Sequence, residues 1–383
     1  MTVQTILSHL VSFPVLGGQS NLSILHWIED YLKGLGVEYQ LVPNEDGSKA
    51  CLHCRIGPAT DGGVILSGHM DVVPTEGQPW DTDPFELTEK DGLLYARGSC
   101  DMKGFLACCL AAVPMLLEAE LERPVYLAFS YDEEIGCRSG DIIAGAIRDH
   151  YSERPLGAII GEPTMLQPMV GQKGIMVYTT VVRGSQGHSS RIMREVDAVH
   201  EAAHLIVWLE NKMKALIEDG RVDDRFDPNH TSIHVGKVAG GTAFNIIANE
   251  CRFDWDYRNI PMDDAAQIFA NFEEYCQARM IDKRKLYADY AIEHIPLHPP
   301  VPPLDTEEKA PIVDLIKKMS GHQKTSTVAF AAEAGQFSNA GFPSVICGPG
   351  DIAQAHRANE FVAVEQLEGC MLMMKNLAGE LST

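Results

Sequence analysis

The sequence has no apolar segment long enough to cross a bilayer, and it has few cysteines for its size. Its longest nearly unbroken apolar run, residues 104–117, is shorter than the ~20 residues that a membrane-spanning helix needs, and Pro114 interrupts it. The ten cysteines of this 383-residue chain lie mostly in apolar segments, which excludes a small disulfide-rich scaffold. The N-terminus has neither a basic region before an apolar stretch nor a small-residue cleavage site, so we expect no secretion signal and a cytoplasmic protein.

Basic residues are scarce relative to acidic ones. Lys and Arg number 31 against 53 Asp and Glu, and the net charge is −22. A chain with this charge repels a phosphate backbone, which argues against a nucleic-acid partner. Internal repeats and low-complexity segments are absent from the sequence, and 45% of its residues are hydrophobic. We therefore expect a large folded core and more than one domain.

Short apolar runs alternate with helical periodicity along the first half of the chain. Residues 62–66, 125–130 and 158–160 are typical of buried strands. Residues 102–117 and 141–148 have the pattern of helices between them. This alternation predicts an α/β fold with a mixed, mostly parallel sheet.

A different pattern occupies residues 174–296. Its predicted elements follow the order β-α-β-β-α-β of ferredoxin-like domains, and its last strand is predicted over residues 285–295. We therefore expect an inserted α+β domain at residues 174–296, within a larger α/β domain built from residues 1–173 and 297–383.

Histidines and carboxylates stand out where the predicted buried strands end, which is the edge where open α/β sheets place their sites. The residues in question are His69, Asp71, Asp101, Glu133, Glu134, Glu162 and His356. A helix cap or a surface position explains any one of them equally well. Together they supply imidazole and carboxylate ligands of the types that suit zinc.

The spacing of these residues suggests how they divide the work. His69 and Asp71 are two apart in extended backbone, so the carboxylate could hydrogen-bond one ring nitrogen and leave the other for a metal. Asp101 offers two oxygens and could bridge a pair of cations. Glu133 and Glu134 are adjacent, so one could bind a metal while the other acts as a base.

Four segments carry a resemblance to a known family: SGHMDVVP (residues 67–74), GSCDMKG (98–104), DEEIG (132–136) and GEPT (161–164). In this order they resemble the M20 family of zinc amidohydrolases and peptidases, and the similarity runs nearly end to end. The resemblance implies a catalytic α/β domain with an inserted lid and dimerisation domain, and two zinc ions per chain for which Co²⁺ can substitute.

The resemblance also implies a role for each clustered residue. One zinc would be held by His69 and Glu162, the other by Glu134 and His356, with Asp101 bridging them. Glu133 would be the general base that takes a proton from the attacking water and returns it to the departing amine, and Asp71 would orient His69.

Within the family, the chain is most similar to the branch that hydrolyses Nα-acetyl-L-ornithine to L-ornithine and acetate in arginine biosynthesis. The expected partner is thus a small acyl amino acid, without nucleic acid or membrane. Succinyl-diaminopimelate, a broader range of acyl amino acids and dipeptides are alternative substrates within the same family.

Four further residues match family positions near the substrate. His188, in the segment GSQGHSS (184–190), resembles a lid histidine that reaches the partner subunit's active site to stabilise the oxyanion, which implies a homodimer. Asn245 and Arg258 match substrate-binding positions, and Arg258 suits an α-carboxylate, although an exposed strand arginine is often only solvated. Glu333 could pair with a substrate ammonium, or could simply lie on a helix face.

Two alternative hypotheses about the function remain open. A protein that kept the fold but lost catalysis predicts a missing ligand or base, yet all seven clustered residues are present. A zinc aminopeptidase with a similar catalytic domain is disfavoured by the insertion at residues 174–296, and a structure without a separate β-α-β-β-α-β domain there would restore it.

Overall fold

The helices and strands of the computed structural model, which describes residues 1–382, alternate along much of the chain. The α-helices are α1 (Val3–Val11), α2 (Leu22–Gly34), α3 (Lys103–Glu118), α4 (Gly140–His150), α5 (Ala198–Glu218), α6 (Ala265–Lys283), α7 (Pro311–Ser320), α8 (Ala334–Asn339) and α9 (Val364–Leu381). The strands are β1 (Tyr39–Pro43), β2 (Ala50–Ile56), β3 (Val64–His69), β4 (Thr88–Lys90), β5 (Leu93–Tyr95), β6 (Val125–Ser130), β7 (Gly157–Pro163), β8 (Met169–Gln172), β9 (Met176–Arg183), β10 (Gly187–His188), β11 (Ser232–Gly240), β12 (Ile246–Ile247), β13 (Glu250–Arg258), β14 (Ala291–Pro296), β15 (Leu304–Asp305), β16 (Ser326–Val328), β17 (Ser344–Gly348) and β18 (Phe361–Ala363). Short 3-10 helices cover Ser189–Arg194 and Ile352–Gln354.

Two compact units divide these elements. The first comprises Met1–Gln172, Leu304–Thr327 and residues 332–382, and the second comprises Lys173–Pro303 and Val328–Ala331. The segment predicted as an inserted domain, residues 174–296, lies inside the second unit.

A mixed sheet forms the centre of the first unit, with the strand order β1-β2-β6-β3-β7-β17-β8-β15 and with β16 paired to β8. The central strands β6, β3, β7 and β17 are parallel to one another, and the flanking strands are antiparallel. Every residue of these central strands is buried, as expected for parallel strands that are covered on both faces. The predicted mixed sheet with a mainly parallel centre is confirmed.

Helices α1, α3, α9 and α7 pack in succession, each against the next. Helix α3 is buried along most of its length and joins the large apolar core of the first unit. Among residues 1–382, no helix combines the length and the apolar character needed to span a membrane.

A small antiparallel sheet of the first unit was not predicted from the sequence. Its strand order is β18-β5-β4, and Phe361 pairs with Tyr95. The strands are only three residues long, too short for a clear alternation of apolar and polar residues. Their pairing brings the segment after β5 beside the segment before β18, and the Ala96 N–H donates to the Glu360 carbonyl at 3.1 Å.

The second unit has its own four-stranded antiparallel sheet in the order β11-β13-β9-β14, with α5 and α6 in the intervening connections. Its chain order is β-α-β-β-α-β, the ferredoxin-like arrangement. Trp255 and Phe272 are buried in its separate apolar core. The zinc-aminopeptidase alternative, which required the absence of such a domain, is therefore disfavoured.

The last strand of this unit is shorter than predicted. It begins at Ala291 rather than at residue 285, because α6 extends to Lys283 and a turn follows it. Within that turn the Arg284 Nε–H donates to the Tyr290 carbonyl at 2.8 Å, which holds the chain out of the strand.

Candidate metal centre

The ends of three parallel strands bring predicted site residues to one edge of the first unit's sheet. His69 is the last residue of β3, Glu162 is next to last in β7, and Glu133 and Glu134 follow β6 closely. Because β6, β3 and β7 are adjacent in the sheet, side chains at their carboxyl ends lie close together.

Two glycines allow helix α3 to pack against the strands directly beside these residues. A Cβ atom at Gly68 would lie 2.6 Å from a Met102 side-chain atom, and one at Gly161 would lie 2.0 Å from the Phe105 ring. At Gly161 the rigid ring leaves no room for a Cβ atom, whereas at Gly68 the end of the flexible Met102 side chain would have to move aside. The Gly-His and Gly-Glu pairs of the sequence motifs therefore have a packing reason, since each glycine seats the strand on α3 and the next residue reaches the site.

The Asp101 carboxylate lies between the two histidines. Its Oδ1 atom is 3.2 Å from His69 Nε2, and its Oδ2 atom is 3.4 Å from His356 Nε2. Glu162 Oε1 is 3.8 Å from His69 Nε2, and Glu134 Oε2 is 2.9 Å from His356 Nε2. One carboxylate therefore faces a histidine and a glutamate on each side, a donor set suited to two cations that share a bridging ligand.

The carboxylates of this cluster are buried beside one another. Burial raises the pKa of Glu162 well above its ordinary value, and the nearby charges of Asp101 and Glu133 raise it further. Within the described chain, Glu162 Oε1 has no hydrogen-bond partner. Burial also raises the pKa of Glu134 to about 7, with Asp101 adding like charge. Cations would offset this concentration of buried negative charge, so the residues fit a metal site.

Ligand atoms in the cluster come close enough to share an ion in two overlapping groups. The ligand atoms of His69, Asp101 and Glu134 lie within 4.8 Å of one another, and so do those of His69, Glu133 and Glu162. The second group includes Glu133, for which the sequence predicts the role of base rather than ligand.

Asp71 contacts its neighbours differently from the prediction. The sequence predicts that its carboxylate binds a ring nitrogen of His69, but His69 Nδ1 donates to the Asp71 backbone carbonyl at 2.9 Å, and the carboxylate Oδ1 is 3.7 Å away. The carboxylate instead accepts the backbone N–H groups of Glu133 and Glu134, each at 3.2 Å. Asp71 thus orients His69 through its main chain and holds the turn after β6 through its side chain.

Glu133 is directed into the same cluster. Its Oε2 atom is 3.9 Å from His69 Nε2, and the Cys137 thiol donates to its Oε1 atom at 3.2 Å. Burial raises the pKa of Glu133 to about 8, and Glu134 and Asp101 contribute like charge.

Glu333 is buried, at 1% exposure, immediately before α8. The Ser130 hydroxyl donates to its Oε2 atom at 2.8 Å, and burial raises its pKa to about 7. Glu333 is thus a buried residue at the start of α8, held by the hydroxyl of the last residue of β6. Pairing with a substrate ammonium stays a prediction.

Three residues beside the cluster were missed by the sequence reasoning: Gln78, Arg97 and Glu360. Arg97 directly precedes the segment GSCDMKG, and Glu360 follows His356 by four positions. Proximity to a motif was the available signal. It did not suffice, because their contacts depend on the pairing of β5 with β18.

The remaining predicted residues belong to the second unit. His188 is exposed, and its Nδ1 atom accepts the Ser190 N–H at 3.2 Å at the start of a 3-10 helix. The pairing of β10 with β12 brings His188 near Asn245, whose carbonyl accepts the Ser189 N–H at 3.0 Å. Arg258 ends β13, with its Nε atom 3.5 Å from Asp256 Oδ1.

Known sequences resemble this chain over most of its length. A family model described as peptidase family M20/M25/M40 matches residues 65–380. Acetylornithine deacetylase of Pasteurella multocida (strain Pm70) is 30% identical over 372 residues, which cover 95% of this chain and 92% of that protein. Acetylornithine deacetylase of Myxococcus xanthus is 32% identical over 371 residues, which cover 95% of this chain and 93% of that protein.

Solved structures share the fold. An M20 family metallo-carboxypeptidase from Sulfolobus solfataricus matches with a TM-score of 0.79 at 18% identity, over 99% of each chain. A dinuclear metal-binding peptidase of the M20 family from Bacillus subtilis matches with a TM-score of 0.64 at 15% identity, over 100% of this chain and 98% of that one.

Proposed function

Since the chain belongs to peptidase family M20/M25/M40, we propose that it hydrolyses the Nα-acyl amide of an amino acid, with Nα-acetyl-L-ornithine as substrate and L-ornithine and acetate as products. The relatives at 30% and 32% identity, which align over 95% of the chain, are acetylornithine deacetylases and support this choice of substrate.

The placement of Asp101 between two histidine-glutamate pairs is the observation that carries the proposal. His69 and Glu162 would hold one cation, His356 and Glu134 the other, and Asp101 would contact both. We propose zinc as the natural metal, with Co²⁺ as a substitute, because imidazole and carboxylate ligands suit these ions. When bound, such cations polarise the amide carbonyl and lower the pKa of a water molecule.

Glu133 would transfer the proton. In the proposal it accepts a proton from the attacking water and returns it to the departing amine, so the amide C–N bond breaks to give a carboxylic acid and an amine. Its carboxylate is directed at the cluster and lies 3.9 Å from His69 Nε2. The Asp71 carboxylate supports this role, because it holds the backbone N–H of Glu133.

Residues of the second unit would contact the substrate. We propose that Arg258 and Asn245 bind the α-carboxylate side of the substrate, since a guanidinium forms paired hydrogen bonds with a carboxylate. His188 would donate to the oxyanion, in its own or the partner subunit's site. The exposure of His188 and Asn245 is consistent with both roles.

A substrate panel tests the proposed reaction. We expect kcat/KM for Nα-acetyl-L-ornithine to exceed that for Nα-succinyl-diaminopimelate, N-acetyl-L-methionine and an unmodified dipeptide by at least about 10-fold, because the two acyl chains and the side chains make different contacts. Release of free amine by the zinc-loaded protein is the measurement. Nδ-acetyl-L-ornithine is the matched control, because it has the same atoms with the acetyl group on the other nitrogen.

The panel separates the alternatives. Faster cleavage of the dipeptide would identify a peptidase, and faster cleavage of the succinyl compound would identify a desuccinylase. Absence of turnover with Nα-acetyl-L-ornithine would contradict the proposed substrate.

The second unit presents an apolar edge that suits a second copy of the chain. Strand β11 lies at the edge of its sheet, with Val238 55% exposed, and the nearby Phe244 is 99% exposed. An edge strand offers unpaired backbone N–H and C=O groups to a matching strand. We therefore propose a homodimer formed through this unit.

Light scattering on the purified protein tests the dimer. We expect the mass of two 42.1 kDa chains for the wild type and of a single chain for Val238→Glu, because the substitution places a charge on the exposed apolar edge. Leu372→Glu, at a position of 57% exposure on α9 of the first unit, is the control and should stay dimeric. A wild-type protein with the mass of one chain would contradict the proposal.

A further inference from the structure

A buried arginine beside the metal centre connects two otherwise separate parts of it. Arg97 is 1% exposed, and its guanidinium has two acceptors on different segments. Its Nη1 atom donates to Glu360 Oε2 at 2.5 Å, and its Nη2 atom donates to Gln78 Oε1 at 2.6 Å. The Trp80 ring lies 5.3 Å from the guanidinium carbon and packs over it. The planar guanidinium thus holds Glu360 and Gln78 at a set distance from each other.

The Glu360 branch leads to Asp101. The second carboxylate oxygen of Glu360 accepts the backbone N–H of Cys100 at 2.9 Å and that of Asp101 at 3.0 Å. Two such bonds on consecutive residues leave the backbone of Asp101 little freedom. Because the side chain of Asp101 lies between the two histidines, its backbone position decides the reach of both carboxylate oxygens.

The Gln78 branch leads to His356. The Gln78 Oε1 atom accepts from Arg97 and also from the Trp80 indole N–H at 3.1 Å, which sets the orientation of the amide. The Gln78 Nε2 atom therefore faces the other way and donates to the His356 carbonyl at 3.0 Å. His356 has a φ of 63°, in the left-handed region that non-glycine residues seldom adopt. This hydrogen bond helps to hold the strained backbone that directs the imidazole toward Glu134 and Asp101.

We propose that Gln78, Arg97 and Glu360 form a positioning network that holds Asp101 and His356 in register with each other, and that its Gln78 branch sets the affinity of the cation bound between His356 and Glu134. The inference rests on the proposed function, in which Asp101 and His356 bind metal, and it adds three residues that contact the backbone of these ligands. Outer partners of this kind tune metal sites because they orient the ligands.

Gln78→Glu is the sharpest test, because it keeps the size and shape of the side chain. A carboxylate at this position still accepts from Arg97 and Trp80, but it has no N–H group for the His356 carbonyl and places an oxygen against it. The variant therefore breaks the His356 branch alone. Gln167→Glu is the matched control, because Gln167 donates through the same amide nitrogen to a backbone carbonyl, that of Lys324, at 3.1 Å and has no contact with the network.

Zinc binding is measured by competition with a chromogenic chelator, with zinc chloride added stepwise to the metal-free wild type and both variants. We expect one of the two binding steps to weaken about 10- to 100-fold in Gln78→Glu and the other to remain unchanged, with wild-type values for Gln167→Glu. With zinc in excess, kcat should fall while KM stays the same, because the network contacts proposed metal ligands and none of the proposed substrate-binding residues. The thermal midpoint of the metal-free protein should match that of the wild type.

Different outcomes separate the two proposals. A wild type that binds fewer than two zinc ions would contradict the proposed function and this inference with it. A wild type that binds two, with both affinities preserved in Gln78→Glu, would overturn the network alone. Equal weakening of both steps with a lower thermal midpoint would also overturn it, since it would indicate a general folding role. Glu360→Gln supplies a second variant, for which we expect weaker binding at both steps, because Asp101 contacts both histidines.

Discussion

Replacing Glu133 by glutamine is expected to lower kcat for the preferred acyl amino acid by about 10²- to 10⁴-fold and to leave two zinc ions bound per chain. Glutamine has the same shape, and its amide oxygen can still accept from the Cys137 thiol, which lies 3.2 Å from Glu133 Oε1. An amide cannot take a proton from water at neutral pH. The variant therefore removes proton transfer and keeps the packing.

The adjacent residue supplies the matched comparison. Glu134→Gln is the same change one position along the chain, but Glu134 Oε2 lies 2.9 Å from His356 Nε2. We expect this variant to lose a zinc ion together with activity. Metal content by elemental analysis and single-turnover kinetics on both variants make the distinction.

The comparison also decides between two arrangements that the distances allow. The ligand atoms of Glu133, His69 and Glu162 lie within 4.8 Å of one another, so Glu133 could itself bind a cation. If Glu133→Gln lost a zinc ion as Glu134→Gln does, Glu133 would be a ligand and the base would have to be sought elsewhere.

The parallel centre of the sheet was predictable because its strands are buried on both faces. Such strands appear in a sequence as short, nearly continuous apolar runs, and β6 is predicted with its observed bounds, residues 125–130. The ends were less predictable where function lies. Residues 62–66 and 158–160 were predicted as strands, whereas the strands continue to His69 and Pro163. The backbone hydrogen bonds of a strand can continue through polar residues that interrupt its apolar run. The hydropathy pattern therefore ends before the residues of the site.

The clustering of His69, Glu134 and Glu162 was likewise predictable, because the carboxyl ends of adjacent parallel strands meet at one edge whatever the loops do. The bonds around them were not. Asp71 and Glu133 are 62 positions apart, and no local pattern indicates that the Asp71 carboxylate accepts the Glu133 N–H. A carboxylate can accept a hydrogen bond from the backbone N–H groups of a turn as well as from an imidazole. The fold determines which of these donors lies within reach.

Glu360 illustrates the limit most clearly. It lies 263 positions from Arg97, to which it is paired, and the two meet only because β5 and β18 form a three-residue pairing with weak sequence signal. A motif identifies residues that perform chemistry. The residues that hold them in place are spread through the chain and become visible only when the strands are paired.

Removing zinc is expected to lower the thermal midpoint of the wild type, because the buried carboxylates then repel one another without a cation between them. A ligand present at 100 times its Kd stabilises the folded state by about 2.7 kcal/mol. Differential scanning calorimetry with and without a chelator is the measurement. An unchanged midpoint would show that the cluster binds no metal in the folded state.

Glu162→Gln is expected to stabilise the metal-free protein, in contrast to zinc removal, which destabilises the wild type. Glu162 is buried beside Asp101 and Glu133, which disfavour a charge on its carboxylate, so glutamine, which cannot ionise, should raise the free energy of unfolding at pH 8 in chelator. Addition of zinc should stabilise this variant less than it stabilises the wild type, because the variant lacks a proposed zinc ligand.

The pH dependence of the metal-free difference checks the cause. Burial raises the folded-state pKa of Glu162 well above the unfolded value, so the folded state binds this proton more tightly than the unfolded state does. The free energy of unfolding of the metal-free wild type therefore decreases as the pH rises toward the folded-state pKa. The stability gained by Glu162→Gln should therefore shrink when the chelator experiment is repeated toward pH 5.

Glu153→Gln is the opposite control. Its carboxylate accepts from Arg55 at 2.7 Å and from Tyr126 at 2.9 Å, and these bonds outweigh burial and lower its pKa, so the substitution should destabilise the protein. Destabilisation by both substitutions in chelator would mean that Glu162 is held by the apo fold rather than repelled within it.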